Sequence, residues 1–296
     1  MSQKLTLTER LNAYEKLMRL DKPIGILLLL WPVLWGLWFA SPLYQRMEIV
    51  LIFVVGTILM RSAGCVINDY ADRDIDPHVK RTANRPLAAR LIDPKEALML
   101  AGVLALLAFG LVLFLNKLTI MLSFVALLLA ASYPFTKRFF PLPQAYLGIA
   151  FGFSIPMAFA AYQDRVPPLA WALLAANVCW AIAYDTEYAM VDRDDDIKLN
   201  LRSSALLLGV FDVAAVMLFH GLFIAIMAGV GLWLKLGLIY FLGLALALAL
   251  IACQFQMIKN RDRERCFKAF MNNNWVGAAV FCGLALDCYF RIPVIK

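Results

Sequence analysis

The six cysteines of this 296-residue chain form no C-x-x-C pair, and most lie in apolar runs. Neither a zinc site nor a disulfide framework is indicated. Cys65, Cys179, Cys253, Cys282 and Cys288 read as small packing residues, and Cys266 as a reduced thiol in a cytoplasmic loop. Histidine is nearly absent, and His220, alone in an apolar run, reads as a hydrogen-bonded bundle residue. A cleavable signal peptide is not expected either, because the first apolar run starts only at Ile24 and has no convincing small-residue cleavage site. Charged residues make up 17% of the chain and hydrophobic ones 62%, well above the usual half.

The apolar excess is gathered into long runs. A membrane-spanning helix needs about 20 mostly apolar residues. Nine runs approach that length: 24–40, 48–67, 95–115, 118–135, 144–161, 168–186, 205–230, 236–258 and 273–290. They use up most of the chain, so no soluble domain of useful size remains. The expected fold is an all-α polytopic membrane protein of nine transmembrane helices. The net charge of +7 raises the question of nucleic acid, but its placement answers it. With the N-terminus inside, 21 of the 28 Lys and Arg fall in cytoplasmic segments and six on the opposite side, with Arg61 inside the second run. That bias predicts an N-in, C-out topology, and nucleic acid is not needed to explain the charge.

Residues 1–22 precede the first span as a separate segment, and residues 23–296 form the membrane domain. Leu11, Tyr14, Leu17 and Met18 share one helical face, and Thr6 and Glu9 have capping-box spacing. An amphipathic helix lying in the cytoplasmic interface is expected. Pro23 opens the first span and Pro32 kinks it. The second run ends in N-D-Y-A-D-R-D-I-D, and the sixth runs into D-T-E-Y-A-M-V-D-R-D-D-D. Four spans separate them, so both acidic segments emerge on the cytoplasmic side. The chain therefore reads as two four-helix repeats plus one extra helix.

These acidic segments carry the chemistry. Asn68, Asp72 and Asp76 are spaced by four, which stacks them on one helical face, and Asp69 falls on the same side. Asp185, Asp192 and Asp196 are spaced by seven and four, again on one face. Like charges at about 4 Å and an effective dielectric near 20 repel by roughly 4 kcal/mol per pair. A cation relieves that repulsion, and oxygen-only ligands point to Mg²⁺. Lys80, Arg81, Arg85, Lys137, Arg138, Lys198 and Arg202 surround the acids. Carboxylates, Mg²⁺ and basic side chains together suit a diphosphate, whereas acids alone would suit a bare cation. Arg61, two turns below Asn68, is an intramembrane charge and so a candidate binding residue.

N-D-Y-A-D-R-D-I-D resembles the first N-D-x-x-D-x-x-x-D motif of the UbiA-type intramembrane aromatic prenyltransferases. D-R-D-D-D from Asp192 resembles their second motif. The flanks L-D-K-P-I-G, R-S-A-G-C-V-I-N-D, K-R-T-A-N-R-P-L and Y-A-M-V-D-R-D-D-D are similar to the 4-hydroxybenzoate polyprenyltransferase branch, which makes the ubiquinone precursor. The resemblance runs from about residue 19 to the ninth run. It implies a bacterial inner-membrane enzyme with its site facing the cytoplasm. Its substrates would be a polyprenyl diphosphate and 4-hydroxybenzoate, and Mg²⁺ its cofactor. It implies metal binding at Asn68, Asp72, Asp76, Asp192 and Asp196, and a diphosphate contact at Arg138. Arg61 is then the expected partner of the benzoate carboxylate. Tyr70, Tyr133, Tyr184 and Tyr188 are candidates to stabilise an allylic cation with their ring faces.

Asp74 departs from the motif and is expected to face away from the site. Asp287 is expected to pair with Arg291, Asn177 is a candidate cavity residue, and the tryptophans near helix ends read as interfacial anchors. Two rival functions remain at this level. One is a prenyltransferase of the same fold with another acceptor. The other is a divalent-cation transporter, disfavoured because both acidic clusters lie at one membrane face.

Overall fold

The computed structural model describes residues 6–78, 82–136, 140, 142–198 and 202–291. Among them every regular element is helical. Helix α1 (Leu7–Leu17) is followed by α2 (Ile24–Ala40), α3 (Met47–Ala71), α4 (Pro94–Val112) and α5 (Lys117–Thr136). Next come α6 (Pro143–Gly152), α7 (Ser154–Gln163), α8 (Pro168–Lys198) and α9 (Ser204–Leu208). The chain ends with α10 (Asp212–Trp233), α11 (Leu238–Ile258) and α12 (Arg263–Arg291). Seven helical stretches among the described residues are long and apolar enough to cross a membrane. Helix α2 is apolar but only 17 residues long.

Two stretches are interrupted for local reasons. The α6–α7 span breaks at Phe153 because Pro156 has no N–H to offer the Gly152 carbonyl. Helix α9 turns into α10 through a 3₁₀ segment at Gly209–Phe211, where Gly209 adopts a φ of 54°. That left-handed conformation is open to glycine at little cost.

Helix α1 opens with the expected capping box, Thr6 and Glu9 each holding the other's backbone N–H. It docks on protein, which the interfacial expectation did not include. Ala13 and Leu17 are buried with Val66 of α3, Leu87, Ile92, and Ala97 and Ala101 of α4. Arg10 donates to both Glu96 carboxylate oxygens at 2.9 and 2.8 Å, and Tyr14 donates to the same group. Leu7 and Leu11 remain exposed.

The largest core joins α2, α7, α8, α10, α11 and α12. Trp35 and Trp180 lie at its centre, not at an interface, with ring centroids 5.1 Å apart and Phe223 within 5.8 Å of both. Their indole N–H groups are satisfied inside the bundle, by the Gly277 carbonyl and by Asn273. Trp171, Trp233 and Trp275 are exposed, as anchors would be. Three consecutive asparagines of α12 each face a different helix: Asn272 accepts from Gln254, Asn273 from Trp180, and Asn274 from Trp31. Cys266 sits buried in α12, not in a loop, because the helix begins three residues earlier.

Candidate active site

Helices α3 and α8 run to the same end of the bundle and line a cavity of about 1110 Å³. On α3 the lining residues Arg61, Cys65, Asn68 and Asp72 follow the three-and-four spacing of one helical face. The face does not continue to Asp76 as the spacing predicted. Helix α3 stops at Ala71, Asp72 is its C-cap, and Asp76 opens a 3₁₀ turn. Asp76 still reaches the cavity wall, carried there by the turn. On α8 the expectation of one face holds. The helix continues unbroken to Lys198, and Asp185, Asp192 and Asp196 all line the cavity together with Asp195. Arg85 and Arg202 line it as well. Lys198 is exposed at the last residue of α8, outside the lining. Lys80, Arg81, Lys137 and Arg138 lie outside the described residues.

Asp69 has a distinct environment. It is 1% exposed, and Arg19 Nη2 contacts its two carboxylate oxygens at 2.8 and 2.9 Å. Arg85 Nη1 lies 3.1 Å from Asp69 and donates to Asp76 at 2.9 Å. The result is an alternating chain, Arg19–Asp69–Arg85–Asp76, that begins just past α1 and ends on the first acidic motif. Burial opposes the charge of Arg85, but the Asp69 and Asp76 carboxylates outweigh it and hold the guanidinium pKa above its ordinary value. Arg19 was missed in the sequence because no helical period points at it. Its φ of 59° turns the chain back over α3.

The second acidic set has a similar counter-charge. Arg263, at the start of α12, donates to Asp195 at 3.0 Å and approaches Asp192 at 3.9 Å. Nearby, Asp212 is fully buried between Arg193 and Arg261 and ties the α8, α10 and α11 ends together. Asp74 is exposed, away from the cavity, and pairs with Arg73, which stacks on Tyr70. Tyr133, Tyr184 and Tyr188 line the cavity, whereas Tyr70 does not.

Deeper in the cavity Arg61 forms no ion pair among the described residues. Its Nε is buried without a hydrogen-bond partner, and its Cζ lies 5.6 Å from the centre of the Phe151 ring. Ser203 is a second lining residue whose buried hydroxyl has no partner among the described residues. Asn177 is not part of the wall and donates to the Gly148 carbonyl. His220 faces the buried Glu187 carboxylate inside the bundle, with Nε2 3.8 Å from Oε1, although neither ring nitrogen is within hydrogen-bond distance of a partner among the described residues. Asp287 pairs with Arg291 at 2.9 Å as expected.

Among the described residues no three carboxylate, histidine or cysteine groups form a ready-made metal cage. The donor set still fits Mg²⁺. Carboxylates and the Asn68 amide line a single cavity, and Mg²⁺ is commonly held by one or two carboxylates plus substrate phosphates and water.

The profile of the UbiA prenyltransferase family matches residues 29–277. A 4-hydroxybenzoate octaprenyltransferase of Nitrosospira multiformis is 62% identical over 97% of this chain and 99% of its own length. One of Nitrosomonas europaea is 60% identical over 97% and 98%. Among solved structures, the apo form of a UbiA homolog from Aeropyrum pernix K1 superposes with a TM-score of 0.78 at 28% identity, covering 88% of this chain and 97% of that one. A UbiA homolog from Archaeoglobus fulgidus bound to GPP and Mg²⁺ shares the fold, with a TM-score of 0.68 at 17% identity over 92% and 99%. On these matches, which span most of its length, the chain belongs to the UbiA prenyltransferase family.

Proposed function

We propose that this enzyme transfers a polyprenyl group from polyprenyl diphosphate to the ring carbon of 4-hydroxybenzoate ortho to the hydroxyl, a step toward ubiquinone. The observation that carries the reading is one cavity that holds two acidic sets at its mouth and, further in, an arginine that forms no ion pair among the described residues. Identity of about 60% to 4-hydroxybenzoate octaprenyltransferases supports the acceptor. A cation transporter would have no use for the basic side chains among the acids.

Asn68, Asp72, Asp76, Asp185, Asp192 and Asp196 are the proposed metal ligands. When bound there, Mg²⁺ supplies charge neutralisation to the diphosphate. Asp69, already engaged by two guanidiniums, positions Arg19 and Arg85. Arg85 and Arg202, with Lys80, Arg81, Lys137 and Arg138, bind the diphosphate and stabilise it as the allylic C–O bond breaks, while Lys198, outside the lining, does not. Tyr133, Tyr184 and Tyr188 present ring faces to the developing cation. Arg61 holds the benzoate carboxylate, which sets the ring carbon against the cation. The new C–C bond forms, and loss of the ring proton restores aromaticity. Leu106, Phe124 and Leu127, on α4 and α5, line the cavity and are exposed. The prenyl tail leaves through this wall of α4 and α5 into lipid.

The proposed topology is nine spans, as two four-helix repeats plus α12. The N-terminus and the site face the cytoplasm of a bacterial inner membrane, with α1 at its surface. The test is to supply membranes containing the protein with polyprenyl diphosphate, Mg²⁺ and 4-hydroxybenzoate. C-prenylated 4-hydroxybenzoate is expected, and Arg61→Ala should raise the KM for 4-hydroxybenzoate. A product formed on a different acceptor in preference, or an unmoved KM, would refute the assignment.

A further inference from the structure

Gly25, in the first turn of α2, faces the cavity and lies against the Arg61 guanidinium. A methyl group placed on Gly25 would come within 2.6 Å of Arg61 Nη2, 2.9 Å of Nε and 3.1 Å of Cζ. On another side stands the ring of Phe151, 5.6 Å from Cζ. The guanidinium therefore occupies a slot between a bare backbone and an aromatic side chain.

The backbone does not explain the glycine. Gly25 is helical and its φ is not positive, so an L-residue meets no conformational barrier there. Helical glycine is less favourable than alanine. What its missing side chain provides is clearance. The three atoms nearest the absent methyl all belong to Arg61.

We infer that Gly25 is a positioning residue for the acceptor. Its bare Cα fixes how far the Arg61 guanidinium lies to the α2 side of the cavity, and hence where an aromatic carboxylate is held relative to the diphosphate. The inference rests on the reading of Arg61 as the carboxylate partner. The atoms that an added methyl would displace are the far end of a flexible side chain, so Gly25→Ala moves the guanidinium while the helix stays in place.

The experiment compares Gly25→Ala, Arg61→Ala and the double variant in membranes, with separate KM values for 4-hydroxybenzoate and polyprenyl diphosphate. A charge-assisted hydrogen bond that is misdirected by an ångström or more loses much of its strength. Gly25→Ala is expected to raise the 4-hydroxybenzoate KM about tenfold, with the donor KM within twofold and thermal stability not reduced. In the Arg61→Ala background the same substitution should add nothing. Loss confined to stability, an equal change in both KM values, or full additivity with Arg61→Ala would overturn the role of Gly25 and leave that of Arg61 standing. An unmoved 4-hydroxybenzoate KM in Arg61→Ala alone would instead remove the reading on which both depend.

Discussion

Replacing Asp69 should release two arginines at once. The carboxylate is 1% exposed, and the side chains of Arg19 and Arg85 are 22% and 19% exposed. Removing one partner of a buried ion pair costs about 3–5 kcal/mol, because the other charge is left uncompensated. Here both arginines retain some contact with water, and Arg85 keeps Asp76 at 2.9 Å. The lower end, about 3 kcal/mol, is therefore the expectation for Asp69→Ala. At about 2–4 °C per kcal/mol for a chain of this size, thermal inactivation in detergent should shift down by roughly 6–12 °C. Asp69→Asn keeps the shape and loses the charge, and should show most of the effect. A double-mutant cycle of Asp69→Ala with Arg19→Ala should reveal coupling, since each variant removes the same contact. The KM for polyprenyl diphosphate should rise because two cavity cations lose their orientation, while the Mg²⁺ concentration for half activity stays within twofold. An inactivation temperature within a degree of wild type, together with a changed Mg²⁺ requirement, would refute the reasoning and make Asp69 a metal ligand.

Two further outcomes follow from the same geometry. Arg202→Ala should raise the donor KM well above that of Lys198→Ala, because Arg202 lines the cavity and Lys198 does not; equal effects by steady-state kinetics would contradict this placement. Asn273→Ala leaves the Trp180 indole N–H and one Glu187 oxygen without their partners. It should cost about 1–3 kcal/mol, read as a lower inactivation temperature, and an unchanged temperature would show that the α8–α12 contact does not depend on it.

The second acidic set was legible because α8 is a single uninterrupted helix, so spacing translated directly into a face. The first was legible as a motif but not as a shape. Asp72 and Asp74 favour turns over helix interiors, and Pro77 disfavours helix at the residue before it. The chain therefore leaves the helix at Asp72 and reaches the cavity by a 3₁₀ turn. Arg61 stood out as a charge in an apolar run. Arg19 did not, since a single left-handed residue placed it. Trp35 and Trp180 were not legible as core residues, because hydropathy does not separate a side chain facing lipid from one facing other helices. Their N–H groups found partners in Gly277 and Asn273, which are on α12, far away in sequence. Polar Asn272–Asn274 make sense for the same reason, each answering a group on a different helix.

In the proposed mechanism the two acidic sets act together on a magnesium–diphosphate group. Its most direct test is Mg²⁺-dependent release of diphosphate by membranes given polyprenyl diphosphate and 4-hydroxybenzoate, comparing wild type with Asp72→Ala and Asp192→Ala. Release that requires Mg²⁺ and both substrates, and that is abolished by either substitution, is the predicted result. Turnover that survives without Mg²⁺, or that either variant retains, would contradict it.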